Sequence, residues 1–217
     1  MLTFLKKYVR GIPVFFVWLG LLVMPASAHS AGKTLLVLGD SLSAEYGLPR
    51  GKGWVALLDA RLQQQFTGWQ VSNASISGET TAGGKSRLPA LLKQHQPDIV
   101  IIELGGNDAL RGLALEHTEN NLREMVQASK KAGASVLILG MRMPPNYGSQ
   151  YTEKFSALFV QVARQEKTAL LPFFLDKVAD KPDWFQADRI HPNTQAQPQM
   201  LDNVWPHLEP LLKARKK

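Results

Sequence analysis

Cysteine is absent from all 217 residues, so no disulfide can staple the fold and no lipid-modified cysteine can anchor it. Whatever structure forms stands on its hydrophobic core. Metal-binding patterns are missing too. His29, His95, His117 and His207 are scattered without ligand spacing, and there is no His-Glu-x-x-His helix, so no catalytic metal is expected. Gly105-Gly106 belongs to neither a Gly-x-Gly-x-x-Gly nor a Walker pattern, which argues against a nucleotide loop. A Gly-x-Ser-x-Gly elbow is also lacking, since the nearest segment has Ser43 at its fifth position; the α/β-hydrolase arrangement is disfavoured accordingly. Internal repeats, low-complexity tracts and linkers do not occur, which points to one domain.

Long apolar runs are scarce, with one exception near the amino terminus. Lys6, Lys7 and Arg10 precede an apolar stretch over residues 12–24, and Ala26-Ser27-Ala28 follows it. Cations, an apolar segment and a small-x-small pattern make a secretory signal peptide, with cleavage expected after Ala28. The stretch is shorter than the roughly 20 apolar residues that span a bilayer, so export with cleavage is expected rather than anchoring. Residues 29–217 are then the mature chain, 189 residues long, enough for a single domain that buries about 70% of its unfolded surface. The formal charge falls from +7 to +4 without Lys6, Lys7 and Arg10, and Lys213, Arg215, Lys216 and Lys217 supply part of the remainder. Such a dispersed excess is no nucleic-acid footprint. It suits a solvated helix end and leaves open transient contact with an anionic membrane surface. A monomer is expected.

Residues 34–38 (TLLVL), 99–104 (IVIIEL) and 136–139 (VLIL) are short, nearly continuous apolar runs, as in parallel strands covered on both faces. Residues 70–74 and 168–171 are weaker candidates that complete a set of five. Between them, residues 54–66, 88–95, 118–131, 151–166 and 196–212 carry helical spacing. The alternation predicts an α/β fold, a three-layer α/β/α sandwich around a five-stranded parallel sheet. In such a fold, active groups gather at the carboxyl ends of the strands. Residues 141–150 (MRMPPNYGSQ), the longest irregular stretch, follow the fourth strand and read as a loop lining such a site.

Four short motifs sit at those strand ends. Gly39-Asp40-Ser41-Leu42-Ser43 follows the first strand; Ser41 is the candidate nucleophile, although its hydroxyl is weakly nucleophilic unless a base takes the proton. Asp188-Arg189-Ile190-His191 near the carboxyl terminus supplies that base. Asp188, three residues before His191, can hold the Nδ1 proton and leave Nε2 facing Ser41. Ser75-Ile76-Ser77-Gly78 and Gly105-Gly106-Asn107-Asp108 follow the second and third strands. Acyl transfer needs fixed donors where charge develops on the carbonyl oxygen, and the Ser41 N–H, the Gly78 N–H and the Asn107 amide are candidates for an oxyanion hole. Taken singly, each motif is also an ordinary turn.

Two carboxylates stand apart from this set. Asp40 adjoins the nucleophile, and a structural hydrogen bond is expected of it rather than the role of triad acid. Glu103 ends an apolar strand, where a carboxylate is costly unless paired; a satisfied structural acid is the reading preferred. For acyl binding, Leu110, Leu113, Met141, Met143, Pro144 and Tyr147 lie on loops expected to surround Ser41, and adaptable methionines suit a pocket for varied chains.

In the order Ser41, Gly78, Asn107, His191, the chain resembles the SGNH (GDSL) hydrolases, which take their name from those four residue types. The resemblance runs over residues 33–212 and includes residues 38–43 (LGDSLS), 73–78, 88–97 (LPALLKQHQP), 103–107, Asn146-Tyr147-Gly148 and 190–193. It implies a flavodoxin-like SGNH fold and a periplasmic enzyme. It also implies substrates among acyl-CoA thioesters, lysophospholipids and simple aryl or alkyl esters. No cofactor is implied. Two rival readings stay open from sequence: a carbohydrate O-acetylesterase, and a non-catalytic periplasmic module that binds lipid in the same groove.

Overall fold

Among the described residues the most apolar runs become the middle of the sheet, because only there is a strand covered on both faces. The computed structural model describes residues 32–215; the expected signal segment, residues 1–28, lies outside them. Strand β1 (Lys33–Gly39) sits between β2 (Trp69–Asn73) and β3 (Ile99–Glu103), and β4 (Ser135–Leu139) and β5 (Ala169–Leu171) follow outward from β3. All four pairings are parallel, with Val37 opposite Ile101 and Ile101 opposite Leu137. Residues 35–38 and 99–102 are fully buried. The edge strands β2 and β5 are only partly buried, which is why their sequences read more weakly.

Helices α1 (Trp54–Gln65) and α6 (Gln197–Ala214) pack on each other, whereas α2 (Thr81–His95), α4 (Leu115–Lys131) and α5 (Ser149–Gln165) pack side by side. The short α3 (Gly106–Leu110) follows β3. This is the three-layer α/β/α sandwich that the alternation predicts, and from Gly32 onward it forms one compact unit. The order β2-β1-β3-β4-β5 reverses direction between β1 and β3. At such a reversal the loops leaving two neighbouring strands diverge and open a crevice at their carboxyl ends.

Two helical features depart from the sequence pattern. Helix α2 begins at Thr81, seven residues before the apolar period starts at Leu88. A polar anchor supports those first turns: the Thr80 side chain accepts from the Gly83 N–H at 3.3 Å, and the Thr81 N–H and hydroxyl both donate to the buried Asp108 carboxylate. Gly84 then lies against Leu104, where a Cβ would come within 2.3 Å of the leucine Cδ1. Helix α3 is five residues long, too short for a 3.6-residue period to show.

Candidate active site

Leaving β1 at Gly39, the chain folds into a turn held by its own polar groups. The Asp40 carbonyl accepts from the N–H groups of Ser43 at 3.2 Å and Ala44 at 2.9 Å, while Asp40 Oδ1 accepts from the Leu42 N–H at 3.0 Å. Among the described residues nothing accepts from the Ser41 N–H. The half-buried Ser41 lines a cleft of about 1150 Å³.

His191 reaches Ser41 from a loop that precedes α6. Its Nε2 lies 3.0 Å from Ser41 Oγ and its Nδ1 lies 2.7 Å from Asp188 Oδ2. Asp188 Oδ1 accepts from the N–H groups of Ile190 at 2.9 Å and His191 at 3.0 Å. This local turn needs Arg189 in the left-handed region, at φ 57°. The His191 N–H, the His191 ring and the Ile190 N–H together hold the Asp188 carboxyl down at about 2. An acid ionised that firmly fixes the imidazole with Nε2 as the acceptor toward Ser41. The loop is braced by Gln186 and Asn193: the Gln186 N–H donates to the His191 carbonyl at 2.8 Å, and the Asn193 N–H to that of Trp184 at 2.7 Å.

Gly78 approaches from the loop after β2 and Asn107 from the first turn of α3, just after β3. Gly78 is at φ 78°, a conformation that favours glycine, and its carbonyl accepts from Arg111 Nη2 at 2.8 Å. Its N–H has no acceptor among the described residues. The loop is tied to the nucleophile turn by the Ile76 N–H, which donates to the Gly39 carbonyl at 3.0 Å. Asn107 lines the cleft beside Ser41. Its amide nitrogen donates to Asp40 Oδ2 at 2.9 Å and to the Glu79 carbonyl at 3.0 Å. The structure thus brings Ser41, Asn107, His191 and Asp188 together, with the Gly78 turn bound to the same cluster.

Asp40 and Glu103 form a second, buried acidic pair behind the nucleophile, 3% and 1% exposed. Glu103 Oε2 accepts from the Asp40 N–H at 3.2 Å and the Ser43 hydroxyl at 2.8 Å, and Ser43 Oγ accepts from Trp54 Nε1 at 3.2 Å. Burial pushes Asp40 up to about 6 and, with the neighbouring Asp40 charge, holds Glu103 well above the usual carboxylate range.

Of the loop residues expected to hold an acyl chain, Leu110, Met141, Met143, Pro144 and Tyr147 are in the cleft wall. Leu113 is not; it lies beyond α3 and is 41% exposed. Sequence reading missed Phe173, Leu175, Phe185, Arg189 and Gln186 as cleft residues, and the loop it expected to line the site also contributes Arg142. The first three follow β5 in a stretch without a clear period, where the signal is only their apolar character. Among the described residues no group of three or more His, Cys, Asp or Glu side chains comes together to hold a metal ion, and no helix is long and apolar enough to cross a membrane.

Residues 37–197 match the model of the GDSL-like lipase/acylhydrolase family. The chain is similar to esterase TesA of Pseudomonas aeruginosa, 54% identical over 85% of this chain and 92% of that protein. It is also similar to thioesterase 1/protease 1/lysophospholipase L1 of Escherichia coli K12, 48% identical over 98% of both chains. The crystal structure of a TesA superposes with a TM-score of 0.81 at 55% identity, covering 82% of this chain and 99% of the other.

Proposed function

The chain belongs to the GDSL-like lipase/acylhydrolase family, and from that premise we propose that it cleaves acyl-CoA thioesters, lysophospholipids and simple aryl or alkyl esters through a Ser41-His191-Asp188 triad. The observation that carries this reading is the continuous line of contacts from Ser41 Oγ through the His191 ring to Asp188, opening into a cleft walled by Met141, Met143, Phe173 and Leu175. An apolar wall beside an activated hydroxyl suits an acyl chain whose carbonyl carbon must meet that hydroxyl.

His191 Nε2 takes the proton as Ser41 Oγ adds to the carbonyl carbon. The charge that develops on the carbonyl oxygen is held by the N–H groups of Ser41 and Gly78, which have no other acceptor among the described residues, and by Asn107 redirecting one amide hydrogen. Imidazolium then gives its proton to the departing thiolate or alkoxide, and an acyl-enzyme remains. A water molecule, deprotonated by the same ring, adds to that ester; the fatty acid leaves and the Ser41 hydroxyl is restored. Asp188 keeps its negative charge throughout and stabilises the imidazolium.

Tyr46, Ile76, Leu110, Tyr147 and Ile190, all 40% exposed or more, come from the loops and short helices of this cluster and support brief contact with the lipid aggregates that carry long-chain substrates. The Lys6-Lys7-Arg10 segment and Ala26-Ser27-Ala28 support export to the periplasm, with residues 29–217 acting as a single monomeric domain.

The test is hydrolysis of p-nitrophenyl esters and acyl-CoA, from short to long chain, by the mature chain and by Ser41→Ala. Turnover is expected on long chains and is expected to be lost in the variant with the fold intact. Preference for acetylated sugars would instead favour a carbohydrate O-acetylesterase. Fatty-acid binding with no turnover in either protein would favour a lipid-binding module.

A further inference from the structure

Glu103 is a buried titratable side chain that neither the triad nor the oxyanion donors use, although it ends the strand beside the nucleophile. Every bond that reaches the Asp40–Glu103 pair is a neutral donor pointing inward. The Asp40 N–H and the Ser43 hydroxyl meet Glu103 Oε2, the Leu42 N–H meets Asp40 Oδ1, and the Asn107 amide meets Asp40 Oδ2. The two carboxyls are also within hydrogen-bond reach of each other. No ion pair of the described residues includes either one. The groups that face them are Leu42 and Ser43 on the nucleophile turn, Asn107 on α3 and His191 on its loop, with Trp54 of α1 reaching Glu103 through Ser43. His191 is the one of these that can carry positive charge.

Two carboxylates in contact, with so little exposure and no lysine or arginine of the described residues paired with either, cannot both be ionised, because desolvation and mutual repulsion add. A carboxyl contact without a proton is two acceptors facing each other; with one proton it is a strong hydrogen bond. We propose that Asp40 and Glu103 share one proton in the working enzyme, carried by Glu103, and that through it Glu103 acts as a positioning residue for Asn107. As the neutral acid, Glu103 donates to Asp40 while its other oxygen receives the nucleophile turn. Asp40 then receives the Asn107 amide. One connected set of bonds therefore sets the oxyanion donor relative to Ser41, and it keeps a second negative charge away from the place where the oxyanion forms. Deprotonation would break the carboxyl contact and add that charge.

The proposal rests on reading Asn107 as an oxyanion donor, and its test separates the two ideas. Infrared spectra of the mature protein at neutral pH in heavy water are compared with those of Glu103→Gln and Asp40→Asn. The wild type is expected to show the carbonyl absorption of a buried neutral carboxylic acid, lost in Glu103→Gln and kept in Asp40→Asn. In kinetics, the wild type is expected to lose kcat at alkaline pH as Glu103 deprotonates, and Glu103→Gln, which can still donate to Asp40, is expected to retain most of kcat without that decline. Glu103→Ala is expected to lower kcat about 100-fold with KM little changed, as a displaced catalytic donor would. Absence of the neutral-acid absorption in the wild type, its survival in Glu103→Gln, or a Gln variant as impaired as the Ala variant would overturn the proposal. Because the spectrum needs no turnover, a chain that shows the absorption but cleaves no ester would sink the hydrolase reading while leaving the shared proton standing.

Discussion

Gln186 Nε2 donates to the Tyr46 carbonyl at 2.8 Å, tying the loop that carries His191 to the turn that follows Ser41 across 140 positions of sequence. The Tyr46 ring lies against the His191 imidazole, with centroids 4.4 Å apart and planes at 41°. Gly47 leaves room for the clasp: a Cβ there would lie 2.0 Å from Gln186 Oε1. The base is therefore held over the nucleophile from two sides, by Asp188 within its own loop and by Tyr46, bound to Gln186 of that loop, from outside it.

Gln186→Ala removes this clasp without touching a reacting atom. It is expected to lower kcat on a short p-nitrophenyl ester by about 10- to 100-fold, because misplacing a catalytic group by about 1 Å costs on that order. KM is expected to change little. Steady-state kinetics check this, and a rise in KM with unchanged kcat would assign Gln186 to substrate binding instead.

Asp188→Asn is expected to cost about 10⁴-fold in kcat, the scale seen when an acid that orients a catalytic histidine is replaced by its amide. The wild-type carboxyl is held down at about 2, below its unfolded value of about 3.9. Its contribution to stability is therefore complete above the unfolded value and is lost as pH falls from about 4 to about 2. The side chain is 37% exposed, so that contribution is screened and small. At neutral pH the amide variant should accordingly lose far more rate than stability. Thermal melts and a pH-rate profile of both proteins separate the two effects.

Met143→Glu places a charge in the apolar wall of the cleft, where the methionine is 8% exposed. A buried charge without a partner is strongly disfavoured, so turnover of long-chain acyl-CoA is expected to fall more than that of acetyl esters. An unchanged chain-length profile would remove Met143 from the acyl site.

Gly84→Ala tests the packing of α2 on the sheet. The added methyl would come within 2.3 Å of Leu104 Cδ1 and contact Leu38 at 3.6 Å. Overpacking of this kind costs about 1–3 kcal/mol, which denaturant unfolding can read. The residue is helical and remote from the reacting atoms, so kcat of the folded variant is expected to change little.

The strands were legible from sequence to the extent that they are covered. Residues 35–38 and 99–102, buried on both faces, announce themselves as unbroken apolar runs, whereas β5 keeps only Leu171 buried and reads as a weak candidate. The first turns of α2 were not legible, because Asp108, from the short α3 after β3, holds their start and no apolar face does. Leu113 illustrates the converse. An apolar residue on a loop near the site looked like part of the acyl wall, yet α3 ends before it and leaves it outside the cleft.

By itself the sequence determined the chemistry on offer: a serine after the first strand, an Asp-x-x-His turn near the end, and a glycine and an asparagine after the strands between. These are local patterns, since a turn or a strand end is specified by the residues that make it. Only the tertiary structure decided which of them meet. The sheet order β2-β1-β3-β4-β5 places the loops after β1 and β3 at one crevice, and the loop before α6 carries His191 to Ser41 across 150 positions. The clasp between Gln186 and Tyr46, the buried Asp40–Glu103 pair and the Phe173-Leu175-Phe185 wall depend on that same closure. Contacts between residues so far apart in the chain have no period or spacing to betray them, and they exist only once the core has brought the strand ends together.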